Sequence, residues 1–150
     1  MKKIFWRILD GVGVINAIYY QGDRPYKKYR GDAGFDLRSA YDYLIPPEKG
    51  MDIKVDTIAT SRRMWFLLIG RSSTFHIKGL IVNTGIIDNG YCGKLGVYIY
   101  NPNQHAVKIE KGERISQIIP FNLIRNVRLV EGRLSVGKRG SNGFGSTGKK

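Results

Sequence analysis

An all-β chain, folded as a barrel or sandwich of antiparallel strands, is what the sequence predicts, and three observations support this fold class. Short apolar runs recur at intervals of about 8–12 residues, as in such folds. Gly, Pro, Asn and Asp, the residues that turns require, separate these runs. No window of about a dozen residues keeps the 3.6-residue apolar period of an amphipathic helix.

The predicted strands are the five clearest apolar runs. They cover residues 64–69, 95–100, 107–109, 115–121 and 127–130. The stretches between them, such as "IPPEKG", "IDNGYCG" and "YNPNQ", are typical turn sequences. A short helix is predicted after Ser72, within "STFHIKG".

Length and composition indicate one globular domain with a sizeable core, since the chain has 150 residues of which 42% are hydrophobic. The amino-acid composition changes near residue 137. Residues 137–150 hold five glycines and four cations but only one large apolar side chain. We therefore expect a β core over residues 1–136 and a flexible glycine-rich arm over residues 137–150.

Several classes of protein are disfavoured. No apolar stretch approaches the length of about 20 residues that a membrane-spanning helix needs. Arg7 and Asp10 interrupt the apolar start of the chain too early for a signal peptide, so we expect a cytosolic protein. Cys92 is the only cysteine, and with only His76 and His105 besides, a Cys/His zinc site is improbable.

The net charge of +13 indicates a polyanionic partner. Nucleic acid and a phosphate-rich small molecule both fit this charge. A basic surface that is simply solvated fits it as well. Charge alone does not separate these alternatives.

The C-terminal segment contains most of a P-loop, because residues 143–149 read G-x-x-x-x-G-K. A P-loop needs a following helix and a Ser or Thr after the lysine, whereas only Lys150 follows here. The segment nevertheless offers phosphate donors and a ring that can stack on a base. These residues are Arg139, Phe144, Ser146 and Thr147. The segment is therefore either a lid that closes over a nucleotide or a disordered basic tail.

Two short stretches in the body of the chain place charged or hydroxyl side chains beside apolar residues. "AGFDLRSA" places Asp36 between apolar neighbours, either as a functional carboxylate or as a turn-forming residue at a strand end. "GRSST" places Arg71, Ser72 and Ser73 at the end of an apolar run, where they either bind an anion or cap a helix.

Two further stretches add polar groups. "NTGIIDNGYCG", residues 83–93, suggests a hairpin whose backbone reads a flat base edge. Asp88 in its bend can orient a water molecule or a sugar hydroxyl, and Tyr91 can pack against a sugar, although a decorated turn is the alternative. In "GERISQIIP", Gln117 is either a satisfied core amide or a phosphate donor.

Taken in order, these five stretches resemble the five motifs of the trimeric dUTP diphosphatase (dUTPase) family. The family patterns are A-G-x-D-L, P-R-S-[SG], G-x-I-D-x-x-Y-x-G, G-x-R-x-A-Q and R-G-x-x-G-F-G-S-[ST]-G. All five are recognisable from Ala33 to the C-terminus. The sequence departs from these patterns at Gly70, which stands for Pro, and at Ser116, which stands for Ala. "TSRR" replaces the usual turn before the second motif.

The resemblance implies a distorted β-barrel, jelly-roll-like subunit that forms a homotrimer, with the arm of one subunit closing over a neighbour's site. The implied reaction is magnesium-assisted hydrolysis of dUTP to dUMP and diphosphate, by water attack on the α-phosphorus. Such an enzyme limits uracil incorporation into DNA and supplies dUMP for dTMP synthesis. The implied location is cytoplasmic, or host cytoplasm for a virus-encoded member.

The resemblance also implies roles for individual residues. Asp88 would position the attacking water and contact the sugar, and Tyr91 would exclude a 2'-hydroxyl. The backbone at Asn83, Gly85 and Ile87 would read uracil. The phosphates would be bound by Arg71, Ser72, Ser73, Gln117, Arg139, Ser146 and Thr147. Phe144 would stack on the base, and Asp36 would hold magnesium through water.

Three rivals remain at this point. A dCTP deaminase shares the fold, but its essential Glu would correspond to Tyr98, in a strand without a carboxylate. A nucleic-acid-binding module would explain the charge and the stretch "RPYKKYRG", although no recognisable motif supports it. A catalytically inactive structural trimer is disfavoured because the motif residues are intact.

Overall fold

The computed structural model describes residues 16–131 of the chain. The arm and its predicted boundary after residue 136 lie outside these residues, as does the apolar N-terminal stretch. The strands are β1 (Tyr19–Gly22), β2 (Phe35–Arg38), β3 (Tyr43–Ile45), β4 (Lys49–Thr60), β5 (Met64–Gly70), β6 (Ile81–Val82), β7 (Gly85–Ile87), β8 (Lys94–Asn101), β9 (Val107–Ile109) and β10 (Arg114–Asn122). One short helix, α1 (Ser72–Lys78), follows β5.

The strands form two four-stranded sheets and one two-stranded ribbon. The first sheet has the order β1-β4-β8-β6, the second has the order β2-β10-β5-β7, and β3 pairs with β9. Every strand pair is antiparallel. The predicted all-β class is therefore confirmed.

The core follows from the period-two pattern of the strands. In β8, alternate residues Leu95, Val97 and Ile99 are buried while their neighbours are exposed. Ile53 in β4 and Phe66 in β5 belong to the same apolar cluster. Since successive side chains of a strand point to opposite faces, one face of each sheet packs inward and the other stays solvated.

A buried amide joins the loops at one end of β8. The Asn101 side chain is buried, and its Nδ2 lies 2.9–3.1 Å from the carbonyl oxygens of Ile45, Pro46 and His105. Its Oδ1 accepts from the Asn103 backbone at 3.0 Å. Because buried polar groups need partners, this amide fixes the loops that follow β3 and β8.

The structure confirms four of the five predicted strands, as β5, β8, β9 and β10, and it confirms the helix after Ser72 as α1. The strand predicted at 127–130 is wrong, since residues 123–131 form no regular element. Val127 and Leu129 are 71% and 99% exposed. A strand requires a neighbour to pair with, and the described residues of this chain offer none to this segment.

Among residues 16–131, no helix is both long enough and apolar enough to cross a membrane.

Candidate functional site

One end of the β2-β10-β5-β7 sheet gathers four polar side chains. Gln117 of β10 pairs with Asp36 of β2 on one side and with Ile69 of β5 on the other. Arg71 directly follows β5, and Arg114 begins β10. Because the three strands are adjacent, residues from "AGFDLRSA", "GRSST" and "GERISQIIP" lie together. We call Asp36, Arg71, Arg114 and Gln117 the arginine–carboxylate cluster.

Asp36 is held by two arginines. Its Oδ1 lies 3.0 Å from Arg71 Nε, and its Oδ2 lies 3.1 Å from Arg114 Nη1. Its side chain is only 16% exposed. The carboxylate is thus fixed in direction and its charge is compensated, as a partly buried ion pair requires. It lies inside β2, so the alternative of a turn-forming residue at a strand end is wrong.

Arg71 is also the residue that caps α1, with extended backbone angles and no side-chain cap hydrogen bond. The alternative in which Ser72 or Ser73 caps the helix is therefore wrong. Arg71 Nη1 donates to the Arg114 backbone carbonyl at 3.0 Å. Buried Thr74 fixes the helix to β10, since its hydroxyl donates to the Ile115 carbonyl at 2.8 Å.

Gln117 is tightly packed against both neighbouring strands. Its Nε2 donates to the Gly70 carbonyl at 3.2 Å. A Cβ added at Gly34 would lie 2.3 Å from Gln117 Oε1, so a side chain at position 34 would displace the Gln117 amide. The amide therefore has the satisfied contacts of a core residue on one side, while it stays half-buried at the edge of the cluster.

Arg114 and Tyr26 belong to this site but are not among the residues predicted from the sequence. The Arg114 guanidinium lies 4.8 Å from the centroid of the Tyr26 ring, and that of Arg38 lies 5.3 Å from it. Both distances permit cation–π attraction. An irregularity between Arg114 and Ser116 shifts the strand register. Strict alternation would place residues 114 and 117 on opposite faces, so this bulge hides the association from sequence periodicity.

Ser116 is a buried polar residue next to Gln117, and it differs from the other polar residues of the site in its hydrogen bonding. Its hydroxyl has no hydrogen-bond partner among the described residues. An unpaired buried hydroxyl costs about 1–3 kcal/mol, so we expect Ser116→Ala to raise the free energy of unfolding by about 1 kcal/mol. Thr74→Val is the matched control. It should lower the free energy of unfolding, because it removes a hydroxyl that forms a hydrogen bond. Urea denaturation measures both changes, and a destabilised Ser116→Ala variant would contradict the assignment.

The second part of the predicted site is the turn after β7, residues 88–93, which we call the Asp88 turn. Asn89 anchors it, since its Nδ2 donates to the carbonyls of Ser61 at 2.8 Å and Met64 at 3.0 Å. Asp88 is exposed, and no described residue bonds to its carboxylate. The Tyr91 ring covers Gly93, where a Cβ would lie 2.2 Å from the Tyr91 hydroxyl. The turn thus presents an unengaged carboxylate beside a fixed aromatic ring.

Residues 83–93 do not form the predicted hairpin. β7 pairs with β5, whereas β8 pairs with β4 and β6, so the segment passes from one sheet to the other. The Asn83 N–H donates to the Tyr98 carbonyl at 2.9 Å. Gly85 and Ile87 pair with Leu68 and Phe66. The spacing of glycine and apolar residues reflects this crossing between sheets rather than two paired arms.

The two groups of residues lie at opposite ends of one sheet. Ile87 pairs with Phe66, so Asp88 lies beside the start of β5, whereas Arg71 follows its end. At about 3.3 Å per residue, five or six residues of strand separate them by roughly 15–20 Å. One chain therefore does not bring Asp88 to the arginine–carboxylate cluster.

The remaining predicted site residues, Arg139, Phe144, Ser146 and Thr147, lie outside residues 16–131. Within that range, no group of three or more His, Cys, Asp or Glu side chains is close enough to hold a metal ion.

Comparison with known proteins gives a consistent result. The sequence model of the dUTPase family matches residues 21–148. The deoxyuridine 5'-triphosphate nucleotidohydrolase of Fowlpox virus (strain NVSL) is 37% identical over 142 residues, which cover 89% of this chain and 97% of that protein. The enzyme of the same name from Vaccinia virus (strain Copenhagen) is 37% identical over 125 residues, covering 83% of this chain and 84% of that protein.

Solved structures agree with these matches. The Staphylococcus bacteriophage 80alpha dUTPase with dUPNHPP superposes with a TM-score of 0.79 at 28% identity, covering 88% of this chain and 98% of that one. Another structure of this phage enzyme gives a TM-score of 0.71 at 25% identity, and the match covers 79% of this chain and 99% of that one. The jelly-roll-like fold expected from the sequence is thereby confirmed.

Proposed function

We propose, since the chain belongs to the dUTPase family, that it hydrolyses dUTP to dUMP and diphosphate. The match to the family extends over all five stretches singled out in the sequence. Water would attack the α-phosphorus, and dUMP and diphosphate would separate. A cytosolic location, in the host if the chain is viral, belongs to the same proposal.

One observation carries the proposal for the site. The chain displays two incomplete half-sites, the arginine–carboxylate cluster and the Asp88 turn, at opposite ends of one sheet. The α-phosphate would have to lie next to both the water held by Asp88 and the arginines that bind phosphate, and it cannot contact two groups that one chain holds roughly 15–20 Å apart. The half-sites would therefore meet between two different subunits.

Exposed apolar residues support such an assembly. In the segment 123–131, the side chains of Ile124, Val127, Leu129 and Val130 are exposed. An unpaired apolar strip of this kind marks a contact surface. We propose that this segment crosses to a neighbouring subunit of a homotrimer, in which each active site draws on three chains.

The Asp88 turn would act on the sugar and the water. The Asp88 carboxylate would accept a proton from the attacking water and contact the 3'-hydroxyl, and no residue in the described range 16–131 bonds to it. Tyr91, fixed over Gly93, would pack under the deoxyribose and leave no space for a 2'-hydroxyl. The backbone at Asn83, Gly85 and Ile87 would read uracil.

The cluster would bind the phosphates. Arg71 would share its guanidinium between Asp36 and a phosphate oxygen, because its Nη2 has no partner among the described residues. Gln117, Ser72 and Ser73 would add neutral donors at the same sheet end. The arm would complete the enclosure, with Arg139, Ser146 and Thr147 on the outer phosphates and Phe144 on the base.

A magnesium ion would fit this site only indirectly. Oδ2 of Asp36 accepts from Arg114 Nη1, Oδ1 forms an ion pair with Arg71 Nε at 3.0 Å, and among the described residues no second carboxylate pairs with either arginine. Mg²⁺ commonly keeps several waters and binds substrate phosphates with one or two carboxylates. Asp36 would therefore hold a metal-bound water, and the ion would supply neutralisation of the triphosphate charge.

The chemistry requires no covalent intermediate. Phosphoryl transfer depends mainly on in-line placement of the nucleophile and on compensation of phosphate charge. Asp88 would place the attacking water in line, and the arginines would compensate the phosphate charge. A deaminase is disfavoured, because β8 contains no carboxylate and presents Tyr98 where that family would need a Glu.

Product analysis tests this function. The full chain is incubated with magnesium and with dUTP, dTTP, dCTP or UTP, and diphosphate and ammonia are measured separately. We expect diphosphate from dUTP, little from the other three nucleotides, and no ammonia. Ammonia from dCTP, or equal release from UTP, would contradict the proposal.

A further inference from the structure

A second surface of the chain combines cations with aromatic rings, and apart from Tyr26 the proposed site does not use its residues. Residues 24–30 read "RPYKKYR", and we call them the basic–aromatic segment. They border a cleft of about 420 Å³ between β1 and β2. Its lining includes Tyr20, Arg24, Tyr26, Lys27, Phe35 and Arg38. The Tyr26 ring lines this cleft and also lies 4.8 Å from the guanidinium of Arg114 in the arginine–carboxylate cluster.

The cations of this segment are not neutralised by the neighbouring acids. Asp23 pairs with Arg38 at 3.2 Å, Asp32 accepts from the Tyr29 N–H at 2.9 Å, and Asp36 is held by its two arginines. Every carboxylate of residues 23–38 is thus engaged. The four cations without a carboxylate partner in the described part of the chain are Arg24, Lys27, Lys28 and Arg30.

Aromatic rings lie between these charges. Tyr29 is 62% exposed and Tyr20 is 47% exposed. Lys28 Nζ lies 4.9 Å from the Tyr29 ring centroid, and Lys27 Nζ lies 4.8 Å from that of Phe35. The rings of Phe35 and Tyr29 are therefore each paired with a lysine that can reach a phosphate, while the exposed face of Tyr29 stays available for stacking.

We propose that the basic–aromatic segment binds single-stranded nucleic acid. Proteins bind single strands by combining a positive track for the backbone with aromatic platforms on which bases stack. Several unpaired cations spread along seven residues suit a chain of successive phosphates better than one compact triphosphate. A duplex would leave Tyr29 without a base face, because its bases are already stacked. This binding would be a second activity, independent of dUTP hydrolysis.

Fluorescence anisotropy with the full chain tests the proposal. The probes are labelled oligo(dT) and oligo(U) of about 12 nucleotides, with a duplex of equal length, at salt concentrations from about 0.05 to 0.2 M. We expect both single strands, or one of them, to bind more tightly than the duplex. The affinity should fall as salt rises.

Two variants probe charge and stacking separately. Lys27→Gln with Lys28→Gln should weaken binding about tenfold and reduce the salt slope by about 1.4, since each phosphate contact to a single strand contributes about 0.7. Tyr29→Ala should weaken binding about tenfold, while Tyr29→Phe keeps the ring and should bind like the wild type. All these variants should hydrolyse dUTP normally.

The matched control removes the same charge elsewhere. Lys49→Gln with Lys111→Gln changes two exposed lysines on other elements, and it should reduce binding much less than the Lys27/Lys28 pair. Equal loss in both pairs, equal binding of duplex, or no effect of Tyr29→Ala would overturn the proposal. So would competition by a non-hydrolysable dUTP analogue, or a parallel loss of hydrolysis, because the strand would then occupy the substrate site.

Discussion

Replacing Asp88 by Asn is expected to lower kcat for dUTP by about 10²–10⁴-fold, the usual effect of removing a general base. Asn keeps the size of the side chain and can still contact the sugar, but it does not accept a proton from water. Since the Asp88 side chain is exposed and its carboxylate bonds to no described residue, the fold should be unaffected. Steady-state kinetics measure kcat, and calorimetry with a non-hydrolysable analogue should show nearly unchanged binding. Wild-type turnover would contradict the role of Asp88.

Mixing two inactive variants tests whether the half-sites meet between chains. Arg71→Ala disables the arginine–carboxylate cluster, and Asp88→Asn disables the turn. If they are unfolded and refolded together in equal amounts, random trimers should recover about a quarter of the wild-type activity, because that fraction of sites combines two intact halves. Each variant refolded alone is the control. Persistent inactivity of the mixture would place both halves of each site in one chain.

Deleting residues 137–150 is expected to lower kcat/KM for dUTP by about 10²-fold or more while the remaining chain stays folded. The arm would supply several phosphate donors and the ring over the base, and loss of even one such donor typically costs about 10²–10³-fold. Closure would also expel water from the site. Circular dichroism and size-exclusion chromatography check the fold and assembly of the truncated chain.

A shorter deletion separates the arm from its terminal charge. Removing only Lys149 and Lys150 eliminates two cations but leaves Arg139, Phe144, Ser146 and Thr147 in place. This control should keep most of the activity. Full activity in the longer deletion would refute the lid, and equal losses in both deletions would point to electrostatic attraction instead of closure.

Sequence patterns predicted the apolar strands well because runs of large apolar residues leave a clear signal, even in β8, where only one face is buried. The runs at β5, β8 and β10 are rich in β-branched, aromatic and other large apolar residues, and the observed strands differ from the predicted bounds by at most one residue at each end. β4 was missed, although Ile53 and Val55 alternate there with the charged residues Asp52, Lys54 and Asp56. A search for period-two alternation would have found it.

What sequence did not predict depends on contacts between distant residues. Arg114 reaches Asp36 only because a bulge changes the register of β10. The turn at Asp88 looks like a hairpin locally, and only the pairing of its flanks with different sheets shows otherwise. The apolar residues at 127–130 predicted a strand that the structure does not form, because no described residue pairs with this segment.

The bare apolar strip after β10 has a consequence for synthesis of the protein. A newly synthesised chain would expose Leu129 and its apolar neighbours until other subunits cover them. Assembly of the trimer would therefore compete with aggregation after synthesis. Dilution should expose these residues again, because it favours dissociation of the trimer. Enzyme stored at very low concentration would dissociate into subunits, and its specific activity would fall as the concentration is lowered.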